Sequence, residues 1–304
     1  MKSLLLTIVA GVASICSVAA QGVCYDPDHV SPVTTDSINS DLATIRNQGF
    51  KAVRTYTVQH GNNNLGKLIV QNGLNASLTI PFDNANPSNS EVHIKAAIEA
   101  AHFTNGAARV THIWVGNENL ASVNEVPQPM FDFIGWVRSS VPAGVLVGTV
   151  QRSTEYLEPS RAGIYRWNDL IATSDVAGIN IHPVFNPNTR ADQAIGVVDS
   201  QWGRLYSEET RQRFPSLTWK LVITEVGWPT EGYWNGNSGS KEGAMQFMND
   251  YKAWRAHHID AQRSFYFQAF DLPSRSNDGP FEAYFGVMYA DRSPKYNSYT
   301  YMDM

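Results

Sequence analysis

Two glutamates each close a short run of apolar and β-branched residues: Glu118 in HIWVGNEN (112–119) and Glu225 in LVITEVGWPT (221–230). A carboxylate at the mouth of an apolar strand costs free energy unless charges or hydrogen bonds compensate it. Two such placements therefore point to a paired acid/base site, and so to an enzyme. Singly, Glu118 also reads as a surface glutamate in a helix-leading loop and Glu225 as an ion-paired strand end; the matching positions favour the pair. Carboxyl groups about 5 Å apart act as nucleophile and acid/base with retention, and about 7–9 Å apart they act with inversion. One must hold its proton until the leaving oxygen departs, which repulsion from its ionised neighbour assists.

Other chemistries lack their residues. His60, His112, His182, His257 and His258 show no H-E-x-x-H or Cys/His spacing, so no metal site is expected, and no organic cofactor is required. His182 reads as a hydrogen-bonding wall residue. There is no G-x-S-x-G nucleophile elbow. Cys24 lies in the apolar run GVCY (22–25), where a small buried strand residue is the expected role.

At 304 residues, 43% apolar and 17% charged, the chain is long enough and apolar enough for one large core. Residues 1–20 begin with Lys2, continue with an apolar stretch from Leu4 to about Ala13, and end in Val18, Ala19 and Ala20, the pattern of a cleaved signal peptide. The catalytic domain then runs from 21 to 304. The net charge of −5 becomes more negative once Lys2 is removed, which argues against nucleic acid or an anionic membrane as partner. Cys16 falls in the leader, so Cys24 has no partner for an internal disulfide. The C-terminal SYTYMDM carries neither an anchor tail nor a retention signal. A secreted protein, extracellular or held in a cell wall, is the expectation.

The elements that must position the glutamates form a series. Apolar runs occur at GVCY (22–25), AVRTY (52–56), ASLTI (76–80), THIWVG (111–116), VLVGTV (145–150), VAGINI (176–181), LVITE (221–225) and SFYFQAF (264–270). Each gap admits a helix and two loops. Ile38, Leu42 and Ile45 share one helical face, with Gly49 placed as a C-cap signal. Ser88 and Glu91 have capping-box spacing before 92–103, and Ala244, Phe247, Met248, Tyr251 and Trp254 line the inner face of a helix over about 242–256. Eight such units predict an α/β fold with a single (β/α)8 TIM barrel. An open doubly wound sheet is the competing arrangement, but GNNNLG (61–66) lacks the spacing of a phosphate loop.

In such a barrel chemistry sits at the C-terminal strand ends. Here these carry Tyr25 and Asp26, Tyr56, Phe82 and Asp83, Asn117 and Glu118, Gln151, Asn180 and His182, Glu225 and Trp228, and Gln268 and Asp271. A ring of this kind suits a polyhydroxylated ligand. Tyr25, Tyr56, Trp114, Trp228, Tyr233 and Trp234 are candidates for stacking on sugar rings, with core packing the competing role, most of all for Trp114 inside its strand.

The residues now reach a family. GVCY, VRTY (53–56), WVGNE (114–118), DVAGINIHPVF (175–185), ITEVGWPT (223–230), FDLPSR (270–275) and EAYFGVMYAD (282–291) resemble glycoside hydrolase family 17, the secreted β-1,3-glucan-active enzymes of fungi and plants, over essentially the whole mature length. The resemblance implies a (β/α)8 barrel and retaining double displacement, with Glu225 as nucleophile and Glu118 as acid/base. It also implies that Asn117 binds the donor's 2-hydroxyl and that Tyr25, Asn180 and Trp228 line the cleft. The pattern commonly reads F-D-E-P-W-K at the eighth strand; Leu272, Ser274 and Arg275 depart from it, as does Gln268 where glutamate is frequent.

The expected substrates are a β-1,3-glucan or laminari-oligosaccharide donor and acceptor. Water and a second glucan compete for one intermediate, so the same glutamates serve hydrolysis or transfer. Under the resemblance, the compact segment from Phe185 to Trp219 leaves little room for the subdomain that lengthens the cleft of plant members and favours a fungal-type enzyme, and fungal members include glucanosyltransferases; substantial transfer is the expectation, with a plain endo-β-1,3-glucanase the alternative. A non-catalytic glucan-binding protein is the reading from another class, and the presence of both glutamates counts against it. Asn75-Ala76-Ser77 is an N-glycosylation sequon at the edge of the third strand.

Overall fold

The computed structural model describes residues 22–217 and 220–296. The expected signal peptide and the C-terminal SYTYMDM lie outside the described residues. Eight parallel strands form the centre: β1 (Gly22–Tyr25), β2 (Ala52–Thr55), β3 (Asn75–Ile80), β4 (Ala108–Asn117), β5 (Leu146–Arg152), β6 (Val176–Ile181), β7 (Leu221–Val226) and β8 (Ser264–Tyr266). Their order is β3-β2-β1-β8-β7-β6-β5-β4, and pairing of β3 with β4 closes the ring. This is the (β/α)8 barrel, and the open doubly wound alternative falls away.

Helices follow the first seven strands in turn: α1 (Thr35–Asn47), α2 (Leu65–Gln71), α3 (Glu91–Ala101), α4 (Gln128–Ser140), α5 (Trp167–Thr173), α6 (Ala194–Leu205) and α7 (Lys241–His257). Ile38, Leu42 and Ile45 of α1 are fully buried, as are Phe247 and Tyr251 of α7, so the apolar stripes face the barrel. Burying each such side chain contributes about 1.5–3 kcal/mol relative to leaving it in water. Gly49 follows the cap of α1 with φ of 96°, where a Cβ is unfavourable.

Two local expectations are corrected. Ser88 does not cap α3: it lies in a 3-10 turn, Pro87–Ser90, and the residue at the helix start, Ser90, donates its hydroxyl to the Pro81 carbonyl at 2.7 Å instead. The eighth run is a strand only over Ser264–Tyr266. Beyond it Phe267 and Ala269 still donate to Val226 of β7 and Cys24 of β1, while Gln268 exchanges backbone hydrogen bonds with Phe285 and Val287 of a returning segment and Ala269 accepts from its Met288, so the simple ladder becomes irregular.

The barrel interior is partly polar, and several of its donors find partners across it. Trp114 is core, donating Nε1–H to Ser77 Oγ at 2.7 Å, and Thr224 donates to Asn180 Oδ1 at 2.8 Å. Cys24 is fully buried, its thiol directed at the Thr224 carbonyl, and burial pushes that thiol up to about 12. A disulfide reagent is therefore expected to label Cys24 only on unfolding; labelling of the native protein at the rate of a free thiol would contradict this burial.

Candidate active site

Two irregularities bring the glutamates to the barrel mouth. The register of β4 against β5 shifts between Trp114 and Asn117, and that of β7 against β6 shifts between Ile223 and Glu225. In a regular strand adjacent side chains point to opposite faces. Past the shift in β7, Thr224 and Glu225 both reach groups inside the barrel, the first Asn180 and the second Arg54. In β4 the shift runs through Gly116, at φ of 79°, where a Cβ would lie 2.3 Å from Asn119 Oδ1. Glu118 itself takes φ of 56°, a left-handed conformation that a glutamate adopts at a cost of about 1–3 kcal/mol and that clusters at functional sites.

The two side chains share a cleft of about 540 Å³ with Tyr56, Asn117, Asn180 and His182. Glu225 is held on both oxygens. Arg54 Nη1 donates to Oε1 at 2.6 Å, and His182 Nε2 stands 3.0 Å from Oε2. Burial alone raises this carboxyl's proton affinity; the Arg54 guanidinium and the His182 hydrogen bond outweigh it and hold the pKa at about 2. With Glu225 ionised and able only to accept, the His182 nitrogen facing it must carry the proton.

Glu118 is biased the other way. Burial first, then repulsion from Glu225, raises its pKa against a hydrogen bond from Asn180 Nδ2 to Oε1 at 2.7 Å. One cleft thus holds a carboxylate biased toward its ionised form and a carboxyl biased toward keeping its proton, the division of labour of a nucleophile or base and an acid. Asn117 links them: its Oδ1 accepts from Arg54 Nη2 at 2.7 Å and from Asn180 at 3.2 Å. That orientation leaves the Asn117 amide N–H groups donating to no described residue.

Of the residues anticipated from the sequence, Tyr56, Asn117, Glu118, Asn180, His182 and Glu225 meet in the cleft. Tyr233 and Trp234 are exposed on a hairpin, and the Trp234 ring lies 6.2 Å from Phe185, which lines the cleft, so Trp234 stands at its rim. Tyr25 and Trp228 do not reach it. Tyr25 turns down to donate to Asp41 at 2.7 Å, and Trp228, 1% exposed, packs toward Phe247 of α7. Of the divergent loop, Arg275 lines the cleft and pairs with Asp278 and Glu282, whereas Leu272 is buried.

Arg54 is the residue that sequence reasoning passed over, although it stood in the run AVRTY. Its signal was an arginine with no carboxylate on its own strand; a fully buried guanidinium must find one across the barrel. Among the described residues no group of three or more His, Cys, Asp or Glu is placed to hold a metal ion, and no helix is long and apolar enough to cross a membrane.

Known proteins resemble this chain in sequence and in fold. A probable beta-glucosidase, btgE, of Aspergillus flavus is 25% identical over 270 residues, covering 88% of this chain and 42% of the relative. The chain thus spans about two fifths of that relative's length. A glucan endo-1,3-beta-glucosidase of Arabidopsis thaliana is 29% identical over 140 residues, covering 39% of this chain and 29% of its own. Among solved structures, an endo-laminarinase from Formosa superposes with a TM-score of 0.73 at 15% identity, over 90% of this chain and 84% of that one. A β-glucuronidase from Ruminococcus gnavus does so at 0.65 and 12%, over 94% and 50%. At such identities the structural likeness speaks for the barrel alone. The BtgE/BtgC glycoside hydrolase domain matches residues 22–286, with both glutamates and their strands inside the match, and the chain belongs to that family.

Proposed function

We propose that the chain is a retaining β-1,3-glucan-active enzyme working through a glycosyl-enzyme, with substantial glucanosyl transfer, in the manner of glycoside hydrolase family 17. The observation that carries this reading is that Glu118 and Glu225 share one cleft with partners that push their proton affinities in opposite directions. Glu225 attacks the anomeric carbon while the bond to the leaving oxygen breaks and Glu118 gives that oxygen its proton. Glu118, now ionised, then takes the proton of the incoming hydroxyl as that oxygen displaces the Glu225 carboxylate. A carboxylate with a pKa of about 2 is a weak base for activating water but a competent nucleophile and a good leaving group in the second step. This favours double displacement over inversion.

The names of the relatives support a glucan as substrate, and the leader-like residues 1–20 support export to the cell wall, where β-1,3-glucan would be remodelled. The aromatic faces of Phe185 and Trp234 at the rim offer a second sugar a stacking surface, which favours transfer over plain hydrolysis. Product analysis on laminari-oligosaccharides tests the choice: products longer than the donor are expected, and exclusively shorter ones reject the transferase reading.

The two carboxyl environments also fix the pH profile. Activity needs Glu225 ionised and Glu118 protonated. The acid limb of kcat/KM is expected near pH 2, and the alkaline limb above the ordinary carboxylate range. An alkaline limb at or below the ordinary glutamate value of 4.5 would remove Glu118 as the acid.

A further inference from the structure

The side of the cleft next to Glu118 contains a charged group that the chemistry above does not use. Arg152, at the end of β5, lines the cleft with its side chain 43% exposed. Its Nε and Nη2 donate to the two oxygens of Glu155 at 3.2 and 2.7 Å, while Nη1 donates to no described residue. Glu155 is fully buried, so this pair fixes the guanidinium plane instead of letting it sweep through solvent. The same carboxylate lies 3.8 Å from Arg161, which donates to the Leu120 and Val123 carbonyls of the loop that follows Glu118. Arg275, the cleft's other exposed cation, is already shared between Asp278 and Glu282.

Because Glu118 protonates the leaving oxygen, the leaving sugar must lie on its side of the cleft. By microscopic reversibility the acceptor sugar occupies the same place. We propose that Arg152, locked by Glu155, donates through Nη1 to hydroxyls of the sugar in this leaving-group and acceptor position, and so selects oligosaccharides over simple aryl aglycones and over water. Ser153, Thr154 and Gln201 line the same side of the cleft, and the Gln201 Oε1 is buried with no partner there. A planar donor fork beside a carbonyl acceptor suits adjacent sugar hydroxyls, which both donate and accept. Glu155 acts through Arg152 and is a positioning residue.

The inference rests on the glycosidase reading above, and the wild-type enzyme separates the two. It is first assayed on β-1,3-, β-1,4- and β-1,6-linked gluco-oligosaccharides and on an aryl β-glucoside; failure on every β-1,3 substrate rejects the glucan reading, and Arg152 is then tested on whichever linkage is cleaved. For R152M, kcat/KM on the oligosaccharide is expected to fall at least about tenfold more than on the aryl glucoside, because a site built to bond a hydroxyl loses most on substrates that carry it. The Arg152 charge also lowers Glu118's proton affinity, so the alkaline limb should move to higher pH in R152M, a change that mere loosening of the fold does not produce. R152K keeps the charge without the fork: its alkaline limb should stay in place while its oligosaccharide preference falls. If both variants lose activity equally on the two substrate types, with the limb unmoved, Arg152 is only part of the wall and the proposal is overturned. Should R152M not fold, the substrate ratio of R152K alone decides.

Discussion

Replacing Glu225 by alanine is expected to lower kcat on a β-1,3-oligosaccharide by a factor on the order of 10⁴, the scale on which a covalent nucleophile is missed. Substrate binding should survive, because in the proposed reading Asn117, Tyr56 and Trp234 also hold the sugar. The truncation leaves Arg54 and His182 facing a small void beside the anomeric carbon, a place for a small anion. Azide should therefore restore turnover of an activated aryl β-glucoside in E225A and yield the α-glucosyl azide. Rescue of that variant alone does not separate retention from inversion, since a water-activating base acts from the same face. Two further products do. The first-formed anomer from the wild type should be β, and E118A with azide should give the β-glucosyl azide, because the anion then attacks an enzyme-bound intermediate from the opposite side. An α anomer as first product, seen by NMR before mutarotation, would reject double displacement.

The barrel was legible because its strands are runs of β-branched residues separated by long gaps, and no other closed arrangement uses eight such units. Glu118 and Glu225 were legible because a carboxylate ending an apolar run is costly unless it is used. What the sequence left hidden is direction. Tyr25 and Trp228 stand at strand ends as surely as Asn117 does, but position along a strand does not say which face a side chain takes, and the register shifts in β4 and β7 break the alternation on which such a guess relies. Arg54 was hidden for a related reason. Its partners, Glu225 and Asn117, are 171 and 63 residues away and on strands that do not neighbour β2, so only closure of the barrel makes them adjacent. The short β8 reflects backbone partners supplied by a loop whose course no periodicity announces.

Arg54→Met is expected to have the second large effect, on activity and stability together. Arg54 is fully buried and its guanidinium serves Glu225, Asn117 and the Thr224 carbonyl at once. Removing one partner of a buried ion pair costs about 3–5 kcal/mol, because the remaining charge has no compensation. Glu225 answers by taking up a proton: once the first cation is gone, burial dominates and the acid limb of kcat/KM should rise from near pH 2 into or above the ordinary carboxylate range. The sign for stability follows. In the wild type the folded-state pKa lies below the unfolded one, so the pair's stabilisation is complete above the ordinary carboxylate range and is lost as pH falls toward 2. In R54M that loss on acidification should vanish, bringing the melting temperatures of the two proteins closer together at low pH. Lysine should not rescue, since one ammonium cannot present the planar fork that meets Glu225 and Asn117 simultaneously. The double variant R54M/E225Q should regain much of the stability and none of the activity, because the unpaired charge is gone while the nucleophile is still missing. An acid limb unmoved in R54M would mean that His182 alone keeps Glu225 ionised, and the assignment of Arg54 as the group that holds the nucleophile ready would fail.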